Sequence, residues 1–337
     1  MLKFANLRSW RGVAKNAFME IVEALQRAID ASAEVVGTTS PNPPVGAAIL
    51  SSDGNLVGVG ATQPPGGAHA EVMALQAAGA QAHGGTAVVT LEPCNHTGRT
   101  GPCAAALVAA GIRKVVYVHS DPNPIASGGA DFLRAHGIIV EQVSAQVTPL
   151  EPWLAATRLG RPHVTWKTAH TLDGFTAALD GTSQWITGEQ AREYAHADRA
   201  QRDAIIIGTQ TALVDRPKLT ARKPDGSLYK HQPLRVVIGS REVPGDFLHY
   251  SSPSECLLEL WKLGARNVLL EGGAGLATSF MQQGYIDAIH AYIAPAILGD
   301  GRGVLTAPIA TTIQQAERYH MRRVVQLGND VLLDLGK

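Results

Sequence analysis

Three residues in one short stretch have the types and order that hold a metal ion. His69 stands in His69-Ala70-Glu71, Cys94 follows Pro93, and Cys103 follows Pro102. One imidazole and two thiolates make three zinc ligands, and three protein ligands leave a fourth position open for water. Two thiolates also balance the charge of the dication, which suits a partly buried site. Glu71 lies two residues after His69. Positions two apart on a helix point to different faces, but at an exposed first turn both reach one cavity. Ala70 to Ala78 reads as that helix, and Gly66-Gly67 ahead of it permits the entry. Glu71 is then a proton carrier beside the water, not a fourth ligand.

The pattern H-x-E followed by P-C and a second Cys is that of zinc-dependent hydrolytic deamination, in which an amine-bearing ring carbon is attacked. Two plainer readings compete. The His and the two Cys are packing residues, or they hold a structural zinc with His83 or His96 as fourth ligand. Their order, each beside a predicted helix start, favours the catalytic reading.

The elements around them must bring these residues together. Phe18 to Glu34 has apolar residues at Ile21, Val22, Leu25, Ala28 and Ile29, the spacing of a helix with one buried face. Ser40-Pro41-Asn42-Pro43-Pro44 breaks it. Val45 to Leu50 and Leu56 to Val59 read as strands joined by Ser52-Asp53-Gly54-Asn55. Ala87 to Leu91 is a strand running into Pro93-Cys94. Ala104 to Ala110 is a helix with Cys103 at its mouth, where a thiol has a lowered pKa. Strand Lys114 to Val118, helix Asp131 to Ala135 and strand Ile138 to Val143 follow. This alternation argues a three-layer α/β domain over residues 16–150.

Pro149, Pro152 and Pro162 mark residues 151–162 as a linker to a second α/β domain at 163–337. There Val164 to Thr168, Ala204 to Ile207, Leu234 to Ile238, Asn267 to Leu270, Tyr285 to Ala294 and Val331 to Leu335 read as strands, and Gln190 to Arg199 and Ser254 to Leu263 as helices. Glu271-Gly272-Gly273-Ala274-Gly275-Leu276 follows one strand. Glycine at such a junction lets backbone N–H groups close on a phosphate. The cluster is not G-x-G-x-x-G, so nucleotide binding and plain helix packing both stay open.

Composition sets limits. Formal net charge is zero over 337 residues, which gives no general attraction to nucleic acid or anionic membrane. The three cysteines, Cys94, Cys103 and Cys256, form no disulfide framework and fit a reducing cytosol. Cys256 reads as a buried small hydrophobe. No apolar run is long enough to span a bilayer. Met1 to Lys15 carries four basic residues and no acid, which reads as a short disordered extension or the result of an upstream start codon, against a targeting peptide that would lack a signal-peptide apolar core.

With both halves laid out, the chain resembles the bifunctional deaminase/reductase family of bacterial riboflavin biosynthesis. In the first half the resemblance rests on Pro41-Asn42-Pro43, Val45-Gly46, His69-Ala70-Glu71, Leu91-Glu92-Pro93-Cys94, Gly98-Arg99-Thr100, Pro102-Cys103 and Asp121-Pro122-Asn123-Pro124. In the second it rests on Thr171-Leu172-Asp173-Gly174, Ser183-Gln184-Trp185-Ile186-Thr187, Gly208 to Thr211, Asp215, Glu271-Gly272-Gly273 and Tyr292-Ile293-Ala294-Pro295. It implies a cytidine-deaminase-like domain followed by a dihydrofolate-reductase-like one. It implies zinc-dependent deamination of a diaminopyrimidinone ribosylamine 5′-phosphate, then NADPH-dependent reduction of ribosyl to ribityl. It carries over His69, Cys94 and Cys103 as zinc ligands, Glu71 as proton donor and Asn42 as a pyrimidine contact. Cofactor contacts fall on Ala169, Trp185, Thr211, Asp215, Ser240 and Gly273, Ala274, Gly275, Leu276, Ala277, Thr278 and Ser279. Substrate contacts fall on Ser183, Arg199, Leu219, Arg222 and Glu271.

The residue types agree. Arg199 and Arg222 suit a bidentate grip on phosphate, against the plain reading of surface charge. Trp185 has a core reading beside the ligand one. Glu271 reads as functional rather than structural, since a structural residue at that strand end would be an isolated acid near backbone amides. No acid stands at Gly239 or Ser240, and Arg241 follows, so NADPH is expected over NADH. The chain departs from the family at Asn95, Gly101, His170 and Phe175, which touches pocket shape and not the reaction. The rival readings are a deaminase whose second half binds ligand without reducing it, a nucleic-acid editing protein and a zinc-stabilised scaffold. Zero net charge weighs against the second and Glu71 against the third. A cytoplasmic homo-oligomer, dimer or tetramer, is expected.

Overall fold

The computed structural model describes residues 15–96 and 101–337. The basic N-terminal stretch before Lys15 and Gly98-Arg99-Thr100 lie outside them. The chain forms two compact units that meet in sequence at Arg158 and Leu159.

The first unit runs α1 (Lys15–Glu34), β1 (Gly46–Leu50), β2 (Leu56–Ala61), α2 (Ala70–Ala78), β3 (Thr86–Leu91), α3 (Cys103–Ala109), β4 (Lys114–His119), α4 (Gly129–Ala135), β5 (Ile139–Gln142) and α5 (Glu151–Leu159). Its sheet has the order β2-β1-β3-β4-β5. β1 is antiparallel to both neighbours, and β3, β4 and β5 are parallel. Parallel strands need cover on both faces. Gly46 shows where one cover lies, because a Cβ there would run into the Ala28 carbonyl of α1. On the other face a Cβ at Gly60 would strike the backbone of α2. The two helices therefore lie on opposite faces, and the three-layer expectation holds. Ile21, Ala24, Leu25 and Ala28 are buried at helical spacing against the sheet.

The stretch 151–162 departs from its reading as a linker. Nine of its residues form α5, with Trp153 and Leu154 in the first core. Trp153 donates its indole N–H to the Pro41 carbonyl at 2.9 Å.

The second unit runs β6 (His163–Thr171), β7 (Phe175–Ala177), α6 (Glu189–Arg199), β8 (Ala204–Gly208), α7 (Thr209–Asp215), β9 (Leu234–Ile238), β10 (Leu248–Tyr250), α8 (Pro253–Lys262), β11 (Asn267–Leu270), α9 (Ala274–Gln282), β12 (Ala288–Ala294), β13 (Arg302–Gly303), β14 (His320–Leu327) and β15 (Asp330–Gly336). The main sheet has the order β10-β9-β8-β11-β6-β12-β15-β14. It is parallel from β10 to β12 and antiparallel through β15 and β14. Ala204 and Ile206 face one core cluster while Ile205 and Ile207 face another, so β8 is covered on both sides. β7 and β13 pair separately as a small ribbon. Cys256 is fully buried in the second core, as its plain reading expected.

Candidate active sites

In the first unit the strand ends converge. Gly46 at the start of β1 pairs with Ala61 at the end of β2, Ala47 pairs with Val89 near the end of β3, and Leu91 pairs with His119 at the end of β4. The Asn42 turn, the approach to His69, and Cys94 thus share one end of the sheet. The entry loop closes through Gly67 N–H to the Pro64 carbonyl at 2.8 Å. His69 is the N-cap of α2, and its carbonyl accepts the Met73 N–H at 3.1 Å. Glu71 is therefore in the first turn and is buried. Cys103 opens α3, and its N–H points at Cys94 Sγ at 3.4 Å.

His69 Nδ1 lies 3.5 Å from Cys94 Sγ and 3.3 Å from Cys103 Sγ. A tetrahedral ion with ordinary Zn–N and Zn–S bonds separates such donors by about 3.6 Å. The donor set and its spacing fit zinc. Among the described residues the cluster is these three, and His83 and His96 are not in it. That is the open, three-ligand form. Hydrogen bonds from Cys103 and His69 hold the Cys94 thiol down to about 4, while Cys103, expected to be lowered by its place at a helix mouth, is instead pushed up by that bond and by burial. Burial pushes the Glu71 carboxyl up to about 7, with the charge of Cys94 adding to it. A carboxyl so placed holds or releases a proton at neutral pH.

Glu92 plays a part that its place in the motif did not disclose. It is buried, and its Oε1 accepts N–H groups of Gly128 at 3.2 Å and Ala130 at 3.0 Å. Its Oε2 accepts the Asp121 N–H at 3.4 Å. The loop from Asp121 is thereby tied to the strand end that leads into Cys94, and Ala126 in turn accepts the Asn95 N–H at 3.0 Å. An acid at the end of an apolar strand was the available signal. Asn42 is half-buried, and its carbonyl accepts the Thr39 hydroxyl at 3.0 Å. A Cβ at Gly101 would meet open space.

In the second unit, two adjoining cavities of about 710 and 580 Å³ open at the carboxyl ends of β6, β8 and β11. Ligands of open α/β sheets bind at such strand ends. Ala169, Ser183 and Gly273 to Leu276 line the larger, Arg199, Leu219 and Arg222 line the smaller, and Trp185, Thr211, Asp215 and Glu271 line both. Ser183, expected with the substrate, is on the larger one. Ala277, Thr278 and Ser279 lie further along α9 and line neither; Ala277 and Thr278 are buried. Ser240 is exposed outside the lining, and Arg241 donates to Gln210 Oε1 at 2.7 Å. His170 and Phe175 line neither cavity.

The turn fits a dinucleotide phosphate. A Cβ at Gly272 would lie 2.7 Å from Leu276 Cδ2, so a larger residue there would have to push the Leu276 side chain aside. Gly273 caps α9 with no side-chain acceptor, which leaves the first-turn N–H groups free for an anion. The larger cavity is of ligand size.

Two expectations need correcting. Arg199 was read as a bidentate grip on phosphate, but its fork is closed on Glu271. Nε and Nη2 donate to the two carboxylate oxygens at 2.6 and 2.7 Å, and Nη1 reaches the Thr220 carbonyl at 3.3 Å. Glu271 is correspondingly not an isolated acid. Both side chains are largely buried, and a buried charge needs its partner. Burial alone would raise the Glu271 carboxyl, but Arg199 holds it below the usual range. The core reading of Trp185 also fails: it is 69 % exposed, with the Arg192 guanidinium 4.7 Å from its ring centroid.

Lys167 was missed. It lines both cavities, with its ammonium 5.5 Å from the Tyr292 ring centroid. Burial lowers its pKa against the opposing pull of Glu271. A lone lysine inside the apolar strand Val164 to Thr168 was the only signal.

Comparison with known proteins agrees with both halves. Residues 19–119 match the family described as cytidine and deoxycytidylate deaminase zinc-binding region, and residues 162–333 match the RibD C-terminal domain. The chain is 57 % identical to the riboflavin biosynthesis protein RibD of Corynebacterium ammoniagenes, over 90 % of this chain and 94 % of that one. It is 46 % identical to the RibD of Mycobacterium tuberculosis, over 94 % and 97 %. The solved structure of Acinetobacter baumannii RibD, form 1, superposes with a TM-score of 0.83 at 35 % identity, covering 94 % of this chain and 99 % of that one. Identity at this level over nearly the whole of both chains settles the family: the chain belongs to the RibD family of riboflavin biosynthesis proteins.

Proposed function

We propose that the chain is a bifunctional enzyme of riboflavin biosynthesis. Its first unit deaminates 2,5-diamino-6-ribosylamino-4(3H)-pyrimidinone 5′-phosphate, and its second reduces the ribosyl group to ribityl with NADPH. The observation that carries this is the coexistence in one chain of an open His-Cys-Cys cluster beside a buried carboxyl and a glycine-turn cavity adjoining a cationic one.

His69, Cys94 and Cys103 would hold zinc, which supplies acidification of water at neutral pH. Glu71 takes one proton from the attacking water and gives it to the ring nitrogen, then takes the second from the resulting hydroxyl and gives it to the amine as the carbon–nitrogen bond breaks and ammonia leaves. Asn42 holds the pyrimidine at the same end of the sheet. In the second unit Gly273 to Leu276, Thr211 and Asp215 would hold NADPH, which supplies the hydride. Reduction adds hydride at C1′ of the ribosyl group and a proton at its ring oxygen. Lys167 is placed to give that proton, since burial loosens its hold on it. Arg199 keeps Glu271 ionised as an acceptor for sugar hydroxyls. With Arg199 so engaged, the phosphate falls to Arg222, which has no carboxylate partner among the described residues and donates toward His196 Nε2 at 3.5 Å.

A second half that binds without reducing is not favoured, since the glycine turn, Lys167 and Glu271 are all in place. No helix among the described residues is long and apolar enough to cross a membrane. The enzyme works on a small ribotide in the cytoplasm, as a homo-oligomer whose size light scattering would give. The decisive test is incubation with the diaminopyrimidine ribotide, with and without NADPH, reading products by mass. Amine exchanged for oxygen in both arms, and two hydrogens gained only with NADPH, is the expected result; no exchange in either arm defeats the reading.

A further inference from the structure

Three side chains of α6, those of Arg192, His196 and Arg199, follow one another by a helical turn and line the smaller cavity of the second unit. Against them lies the loop 219–222, whose two end residues line the same cavity. The loop is held from both sides. Leu219 has a φ of 51°, a left-handed conformation that a residue with a Cβ keeps only under constraint. Its side chain is buried among Ile205, Ile207 and Val237. Gln232 accepts the Ala221 N–H at 2.9 Å and donates to the Ala221 carbonyl at 2.9 Å. From α6, Arg199 Nη1 donates to the Thr220 carbonyl at 3.3 Å and His196 Nδ1 lies 3.0 Å from the same oxygen.

That last contact fixes the imidazole. A carbonyl only accepts, so Nδ1 carries the proton. Burial lowers the pKa of the ring, and the charges of Arg199 and Arg222 act in the same sense, which keeps Nε2 bare. Nε2 is then an acceptor for Arg222, whose Nη2 lies 3.5 Å away. Arg222 is an exposed side chain at the start of a hairpin bridged to Leu228. A neutral acceptor beside it orients the guanidinium and leaves its charge and its other N–H groups for an anion. A carboxylate in that place would neutralise it, as Glu271 does Arg199.

We propose that His196 is a positioning residue for the reduction: it grips the Thr220 carbonyl and orients the Arg222 guanidinium, and so presets the loop that takes the 5′-phosphate of the ribotide. The proposal rests on the reading of the smaller cavity as the substrate site. His196 acts through Arg222 and not on the reacting atoms, so its effect falls on substrate affinity and not on the hydride step.

The test uses the full-length, zinc-loaded chain and its His196→Phe and His196→Asn variants. Phe fills the space and removes both bonds. Asn keeps a donor where Nδ1 stands and offers nothing at Nε2. Reduction is followed at saturating NADPH with the deaminated ribotide and with the same compound lacking its phosphate, and urea unfolding checks the second unit of each variant. A charge-assisted hydrogen bond contributes roughly ten- to a hundredfold in affinity. His196→Phe should raise the KM for the ribotide by roughly that factor while kcat holds, and His196→Asn should raise it less. Neither should change the KM for NADPH or kcat/KM for the phosphate-free compound. A ribotide KM unchanged in His196→Phe overturns the proposal outright, and one unchanged in His196→Asn overturns the orientation of Arg222 by His196. Should His196→Phe not fold, His196→Asn alone decides. Equal losses on both compounds overturn the proposal too, since they mark a disturbed cavity and not a weakened phosphate grip. If the parent chain reduces neither compound, the reading of the cavity fails and this one with it.

Discussion

The two sites solve the problem of charge in opposite ways. In the first unit the groups are few, close and close in sequence. His69 is 25 residues from Cys94 and 34 from Cys103, and the donors tune one another directly. In the second unit the charges come from distant strands and helices, and the buried ones meet as ion pairs, as where Arg199 and Glu271 meet across 72 residues of sequence. A site built on coordination is complete in its own donors. A site built on buried ion pairs depends on each partner holding the other in place. The first should therefore fail by losing its metal and the second by losing its fold, and four changes probe that difference.

The largest effect is expected from Cys103→Ser. The parent chain should carry zinc stoichiometrically. The variant should lose the metal and all deamination while still reducing the deaminated intermediate when this is supplied. Metal analysis and the two assays on one preparation decide it. A metal-free preparation with full deamination, or loss of both activities in a folded chain, breaks the comparison. Next comes Glu71→Gln, which keeps the shape and removes the proton carrier. Deamination should fall by about 10²- to 10⁴-fold, the range of general acid–base groups, with zinc retained and reduction untouched. Unchanged turnover would show that another group moves the proton.

That contrast also governs what the sequence disclosed. The metal ligands were legible because coordination fixes residue types and a short spacing, and α1 because its apolar residues recur at Ile21, Leu25 and Ala28. The segment at 151–162 misled because of its prolines. Pro152 is the second residue of α5, within the first turn, where a missing N–H costs nothing. β14 gave no signal because its face is exposed almost throughout. The engagement of Arg199 by Glu271 was illegible because an arginine shows its charge in sequence and not its partner. Lys167 inside an apolar strand and Glu92 just past the end of one are lone charged residues, and burial alone separates them from chance.

Arg199→Met tests the second mode of failure. It leaves Glu271 buried and unpaired, and breaking a buried pair costs roughly 3–5 kcal/mol. Reduction should be lost together with stability of the second unit, measured by urea unfolding against reductase activity. The double change Arg199→Met with Glu271→Leu should recover most of the stability, since an apolar pair of similar size replaces the ions, but not the reduction. If the single variant is as stable as the parent, the pair is not holding the fold, and the contrast with the metal site weakens.

The smallest expected effect distinguishes the units by acid. His163 begins β6, fully buried, and its Nδ1 has no partner among the described residues. Burial pushes its pKa down to about 3, and Arg202, Arg322 and Arg161 outweigh none of the pull of Asp287 singly but act in the same downward sense as burial. Its folded value is thus below the unfolded one of about 6.5. Between the two values the unfolded chain binds a proton that the folded chain refuses, so stability is complete above about pH 6.5 and falls as pH drops toward 3. At pH 5.5 the loss is roughly 1 kcal/mol, one pKa unit below the unfolded value. His163→Phe keeps a ring in the same space and removes the proton site. Its unfolding free energy, followed by reductase activity in urea, should fall less than the parent's between pH 7.5 and 5.5, by roughly that 1 kcal/mol. Carboxylates such as Glu271, held low by Arg199, contribute their own loss only below their ordinary range and stay ionised in this window. An acid limb identical in parent and variant would mean that His163 is not the group that the second unit keeps neutral.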